Sequence, residues 1–130
     1  MNVSLRSITV DCADPERMAT FWAAALGWSV QGIGHDGAVV ISDHPDMPRL
    51  LFLVVPEPKG VKNRWHLDLQ AGTSMDAEVA RLVSLGASVL RRVNHPHADV
   101  FTVMADVEKN EFCVEVSAAE RAALEGSPDS

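Results

Sequence analysis

The sequence predicts an α+β fold: two tandem β-α-β-β-β modules forming a curved, cleft-enclosing mixed sheet with the helices outside. Three observations carry this. Leu26-Gly27-Trp28-Ser29-Val30 resembles Leu85-Gly86-Ala87-Ser88-Val89, an internal repeat with an offset of 59 residues. At that offset residues 5–10 lie over 64–69, and both stretches alternate apolar and polar, as a strand with one buried face does. Between each alternating stretch and its glycine lies an apolar stripe at helical spacing.

The elements follow in order. After the first strand, Asp14 is suited to an N-cap and Pro15 to the first helical position. Met18, Phe21, Trp22, Ala25 and Leu26 make the stripe, and Gly27 ends the helix. Strands are expected over 28–33, 37–42 and 50–55, with Gly34-His35-Asp36-Gly37 as a tight turn. Pro56-Glu57-Pro58-Lys59-Gly60 reads as a linker. In the second copy Thr73 or Ser74 caps a helix with the stripe Met75, Val79, Leu82, Val83 and the stop Gly86. Strands are expected over 87–93, 100–105 and 111–116, broken at Asn94-His95-Pro96-His97. The domain thus spans 1–117, with modules at about 3–56 and 63–117; 118–130 is a short helix and a disordered tail. A module of about 55 residues is too small to be robust alone, so two are expected to join around a concave interior.

Composition narrows the function classes. The 130 residues are 47% hydrophobic and 22% charged, a globular balance. The net charge is -7 and the longest basic run is Arg91-Arg92, which argues against nucleic acid or an anionic membrane as partner. No apolar run approaches the ~20 residues of a membrane-spanning helix. Residues 1–10 lack a signal-peptide pattern, so a cytoplasmic location is expected. Cys12 and Cys113 do not make a disulfide framework and should be thiols in a reducing compartment.

Strand parity assigns faces. Ile8, Val10, Leu67, Leu69, Phe112, Val114 and Val116 are expected under the helices. Ser7, Thr9, Asp11, His66, Asp68, Phe52, Val54, Cys113 and Glu115 are expected to face the interior. Polar groups gathered in a concavity are where a ligand site is expected. Trp65 has helix-side parity, so core packing is its expected role.

The tandem repeat resembles the vicinal oxygen chelate superfamily, which includes glyoxalase I, bleomycin-binding proteins, extradiol dioxygenases and fosfomycin-resistance enzymes. The resemblance covers roughly residues 3–117. Ile8-Thr9-Val10-Asp11-Cys12-Ala13-Asp14-Pro15 is similar to the family's first strand and helix start, and Asn63-Arg64-Trp65-His66-Leu67-Asp68-Leu69 to the opening of its second module. Asp106-Val107-Glu108-Lys109-Asn110-Glu111-Phe112 is similar to its Asp-Pro-Glu-Gly-Asn-Glu-Phe turn, with Val107 for proline and Lys109 for glycine.

The resemblance implies four metal positions, usually His or Gln on the first strand of each module and Glu on the last. Counted from Asp14 and Asp106, three of them fall on Ser7, His66 and Cys113. An offset of 61 between the last strands, with Phe112 over Leu51, sets the fourth on Phe52. Phenylalanine cannot ligate and neutral serine does so poorly, so no metal is expected at the standard site. A site rebuilt from His66, Cys113 and either Glu115 or Asp68 would suit zinc better than magnesium or manganese. Alternatively His66 hydrogen-bonds Asp68 and Cys113 is an apolar filler. His95-Pro96-His97 with Asp99 reads as a solvated turn that could also chelate.

Two functions follow. One is a metal-independent binder of a small organic molecule, with Ser7, Thr9, Phe52, Val54, His66, Asp68, Cys113 and Glu115 lining its site. The alternative is a lyase, isomerase or dioxygenase-type enzyme with His66 or Glu115 as general base, with or without the rebuilt metal site. The partners expected are the small molecule and a second copy of the chain, because exposed strands beside the cleft favour dimers.

Overall fold

The computed structural model describes residues 2–94 and 100–126. The His95-Pro96-His97 turn, Asp99 and the tail from Ser127 lie outside the described residues. The chain divides into two compact units, 1–60 and 61–130. Each carries one four-stranded mixed sheet, and the two have the same topology.

The first unit contains β1 (Ser7–Cys12), α1 (Pro15–Leu26), β2 (Ser29–Ile33), β3 (Gly37–Ile41) and β4 (Arg49–Val54), with sheet order β1-β4-β3-β2. Asp14 caps α1 by accepting from the Arg17 backbone N–H at 3.1 Å, and Pro15 occupies the first turn. The helix stops at Gly27, whose φ of 69° is left-handed and favours glycine. Met18, Phe21 and Trp22 are buried, and the last two meet edge to face with centroids 5.2 Å apart. This stripe packs on β2, β3 and β4.

The second unit contains β5 (Leu67–Gln70), α2 (Met75–Ser84), β6 (Ser88–Asn94), β7 (Val100–Ala105), β8 (Glu111–Glu115) and α3 (Ala118–Glu125), with sheet order β5-β8-β7-β6. Ser74 caps α2, accepting from the Ala77 N–H at 3.3 Å. The stripe of α2 is narrower than its sequence predicts. Met75 and Leu82 are buried and Val79 half-buried, but Val83 is 46% exposed, because a helix over a small sheet buries only its central line. Trp65 is also corrected. It precedes β5 rather than lying in it, so strand parity does not govern it, and it is 90% exposed.

α3 is tied to the base of α2 by one carboxylate. Glu120 Oε1 accepts from the N–H of Ser117, closing a capping box, and from the N–H of Met75 at 2.8 Å. The bonds to Ser117 and Met75 hold the Glu120 carboxyl below its ordinary value. The turn before β8 is organised by buried Asp106. Its Oδ1 accepts from the backbone N–H of Glu108 (2.8 Å) and Asn110 (3.0 Å). Lys109, where the family pattern has glycine, takes a φ of 70° to close the turn.

The repeat is visible in the pairing. Both β2 and β6 carry a register irregularity, between Val30 and Gly32 and between Val89 and Arg91, again 59 residues apart. Val40 pairs with Leu50, and Met104 with Phe112, so the offset becomes 64 at β3/β7 and 62 at β4/β8. No helix among the described residues is long and apolar enough to cross a membrane.

Candidate functional site

The second unit shows which sheet face is covered. Thr102 Oγ1 reaches the Met75 sulfur of α2 at 3.7 Å, so the row Leu69–Val114–Thr102 faces the helix. The neighbouring row, Asp68–Cys113–Val103–Arg91, has the opposite parity and lies on the face away from α2. A third row runs Gln70–Glu115–Phe101–Val93 on that same open face.

This face, on the side away from α2, has a buried apolar centre and a polar rim. Val103 and Cys113 are only 3% and 7% exposed, and Ala105 is buried beside them. His66, Asp68 and Gln70 stand exposed along one edge and Arg91 along the other. His66, the residue just before β5, has its Nδ1 3.1 Å from Asp68 Oδ1. The donor atoms of His66, Asp68 and Cys113 all lie within 4.8 Å of one another. Burial pushes the Cys113 thiol up, and the charge and hydrogen bonding of Asp68 raise it further; Arg91 offsets part of this. The thiol is therefore protonated at neutral pH and is a poor nucleophile.

Glu115 faces the same side but stands one row further along. Arg121 of α3 donates to its Oε1 at 3.0 Å, so it does not join the His66 cluster. Of the two carboxylates that sequence parity offers as partners for His66 and Cys113, the structure brings Asp68. Glu111 is held by Lys62.

The first unit corrects the sequence reading. Phe52 pairs with Val10 on one side and Ala38 on the other, and it is completely buried. It belongs to the helix-covered row, equivalent to Val114, and Val54 shares its parity beside Cys12. Neither lines the open face. The offset of 61 was one residue short of the 62 that the pairing gives, and a slip of one residue turns every side chain to the other face. The residue equivalent to Cys113 is Leu51, which pairs with Thr9 and Val39. Ser7 lies beside Arg49, whose Nε–H donates to Ser7 Oγ at 2.8 Å. Thr9 and Asp11 are exposed.

The four family metal positions therefore hold Ser7, Leu51, His66 and Cys113. Leu51 has no donor atom and the Ser7 oxygen already accepts from a guanidinium, so the residues do not fit the four-ligand pattern. Arg49, Leu51, Gln70, Arg91 and Arg121 were not identified from sequence. Nothing short of the correct strand register marks them.

Two equivalent β-α-β-β-β units, each with one four-stranded mixed sheet, are the architecture of the glyoxalase, bleomycin-resistance and dioxygenase superfamily. The chain belongs to the glyoxalase-like domain family, whose model matches residues 7–115. No curated protein matches it. Among solved structures it is similar to a glyoxalase/bleomycin resistance protein/dioxygenase family enzyme from Burkholderia phytofirmans PsJN, with a TM-score of 0.73 at 15% identity over 88% of this chain and 98% of that one. It is also similar to the fosfomycin resistance protein FosX from Listeria monocytogenes, complexed with manganese(II) and a dihydroxypropylphosphonic acid (TM-score 0.73, 13% identity, 93% and 95% covered). A third similar structure is TnmS3, an antibiotic binding protein from Streptomyces sp. CB03234 (TM-score 0.65, 21% identity, 91% and 99% covered). At these identities the likeness establishes the fold.

Proposed function

We propose that this protein binds a small organic molecule on the open face of its second sheet, and that it does so without the family's four-position metal site. The observation that carries this is the pairing of a buried apolar floor with a polar rim on that face, while the first unit offers Leu51 and an engaged Ser7 where ligands would be needed. Phe101 and Val93, half-buried on this face, supply apolar contact. His66, Asp68 and Gln70 supply direction from one edge and Arg91 from the other. A ring or chain with one or two hydrogen-bonding groups suits such a surface. The similarity to an antibiotic-binding protein shows that a binding role is compatible with this fold.

The same reading makes the protein a cytoplasmic homodimer. Its acidic balance suits a soluble compartment, and β1, β2, β5 and β6 are the outer strands of their sheets, available for pairing.

The test is a thermal-shift screen of a small-molecule library on metal-free protein, followed by titration of each hit. His66→Phe should keep the fold, since His66 is exposed, and weaken binding by about 5- to 150-fold, the 1–3 kcal/mol of a lost polar partner. Hits whose affinity is unchanged by His66→Phe would contradict the assignment.

A further inference from the structure

The longest basic run in the sequence, Arg91-Arg92, lies on β6, and the strand sends the two side chains to opposite faces. Arg92 pairs with Thr102 in the helix-covered row, and its guanidinium meets Asp76 of α2 at 2.8 Å. Arg91 pairs with Val103 and so faces away from α2. The register irregularity sets this parity. Val89 stands opposite Met104 in the covered row, and in a regular strand Arg91 would share its face; the extra residue between them turns Arg91 to the other side.

The carboxylates that β5 and β8 place on Arg91's face are all engaged. Asp68 faces the His66 ring at 3.1 Å, Glu115 takes Arg121 at 3.0 Å, and Glu111 takes Lys62. Among the described residues no carboxylate pairs with Arg91. Its charge reaches the centre of the face, where it lowers the thiol value of Cys113. Its neighbours on this face are apolar: Val103 across from it, Val93 two residues on, and Phe101 paired with Val93. Val93 and Phe101 are half-buried, so part of each side chain is left for a ligand to cover.

Building on the binding role proposed above, we propose that the molecule bound on this face is an organic acid. Arg91 holds its carboxylate, while Phe101 and Val93 meet its apolar body. A guanidinium presents parallel N–H donors that match the two oxygens of a planar carboxylate. Beside apolar neighbours that pairing is less screened than in water. One arginine suits one negative charge. A phosphate ester brings up to about two, and the other cations of this face, Arg121 and Lys62, are already committed to Glu115 and Glu111. The chain carries a net charge of -7, so its general field repels anions and the local arginine supplies the attraction.

The experiment is calorimetric titration with benzoate, 1-naphthoate, indole-3-acetate and octanoate, each beside its own primary amide. The expected result is an acid that binds about 10- to 100-fold more tightly than its amide, the range for hydrogen bonds to a charged group. Arg91→Met, at an exposed position, keeps most of the apolar stem and should erase that difference by weakening the acid alone. Arg92→Met removes a charge from the other face and should leave both affinities as they are. No acid binding more tightly than its amide, or an acid whose affinity survives Arg91→Met, would overturn the proposal; so would phenyl phosphate binding more tightly than benzoate. The acid-to-amide ratio on the wild type decides the case even where Arg91→Met fails to fold. Neutral library hits on this face, found alongside acids with no advantage, would sink the organic-acid assignment and leave the binding role standing. Acid binding that depends on Arg91 but ignores His66→Phe would support the assignment and contradict the role of His66.

Discussion

Phe52→Ala and Leu51→Ala test the register that assigns the two faces of the first sheet. Phe52 is completely buried between Val10 and Ala38 in the helix-covered row. Truncating it removes a full aromatic ring from a packed core, which costs about 3–5 kcal/mol. Leu51, one residue away on the other face, is half-buried and already meets water. Its truncation should cost about 1–2 kcal/mol, since only part of the side chain leaves an apolar setting. At roughly 4 °C per kcal/mol for a chain this size, Phe52→Ala should lower Tm by about 12–20 °C and Leu51→Ala by about 4–8 °C. Thermal melts followed by circular dichroism read both. Should Phe52→Ala prove too unstable to purify while Leu51→Ala folds, that difference reads the same contrast between the two positions. A Leu51→Ala loss equal to or larger than that of Phe52→Ala would refute the register and the identity of the fourth family position with it.

Lys109→Gly should stabilise the protein by about 0.5–1 kcal/mol. Relief of a left-handed residue gains about 1–2 kcal/mol and glycine's extra chain entropy takes part of it back; a fall in Tm would contradict this. Glu120→Gln should flatten the acid limb of the stability profile. The folded carboxyl lies below the ordinary value near 4.5, so its contribution is present above that value and lost as pH falls through the folded one. Acid titrations of wild type and variant compare the two limbs, and identical limbs would dismiss the role. On a Cys12→Ser background, Asp68→Asn should speed the reaction of Cys113 with a thiol reagent at pH 8, because Asp68 holds the thiol value up. An unchanged or slower rate would show that Asp68 does not govern that sulfur.

Much of the fold is legible because its signals are local. Asp14 before Pro15, the apolar stripe of α1 and the left-handed Gly27 need no knowledge of distant contacts. The repeat at 59 residues locates both first strands, both helices and both irregular second strands. The pairing of His66 with Asp68 is also local, between the residue just before β5 and one inside it. What the sequence hides is register between strands that are far apart in the chain. The connections between strands differ in length between the two units, so the offset moves from 59 to 64 and then to 62, and Leu51 and Phe52 are both apolar and give no warning. The choice of Asp68 over Glu115 depended on Arg121, a residue of α3 whose side chain returns to β8. The alternation of β5 does not reach Trp65, which stands two residues before its start and is exposed, although its sequence context matches a strand.

Chemical-shift mapping of a library hit on the isotopically labelled, metal-free protein reads the binding surface residue by residue. The largest perturbations are expected on His66, Asp68, Gln70, Phe101, Val103 and Cys113, with the His66 ring signals moving in step with occupancy. Perturbations centred elsewhere, with the His66 ring signals unmoved at saturation, would contradict the claim that the open face of the second sheet is the binding surface.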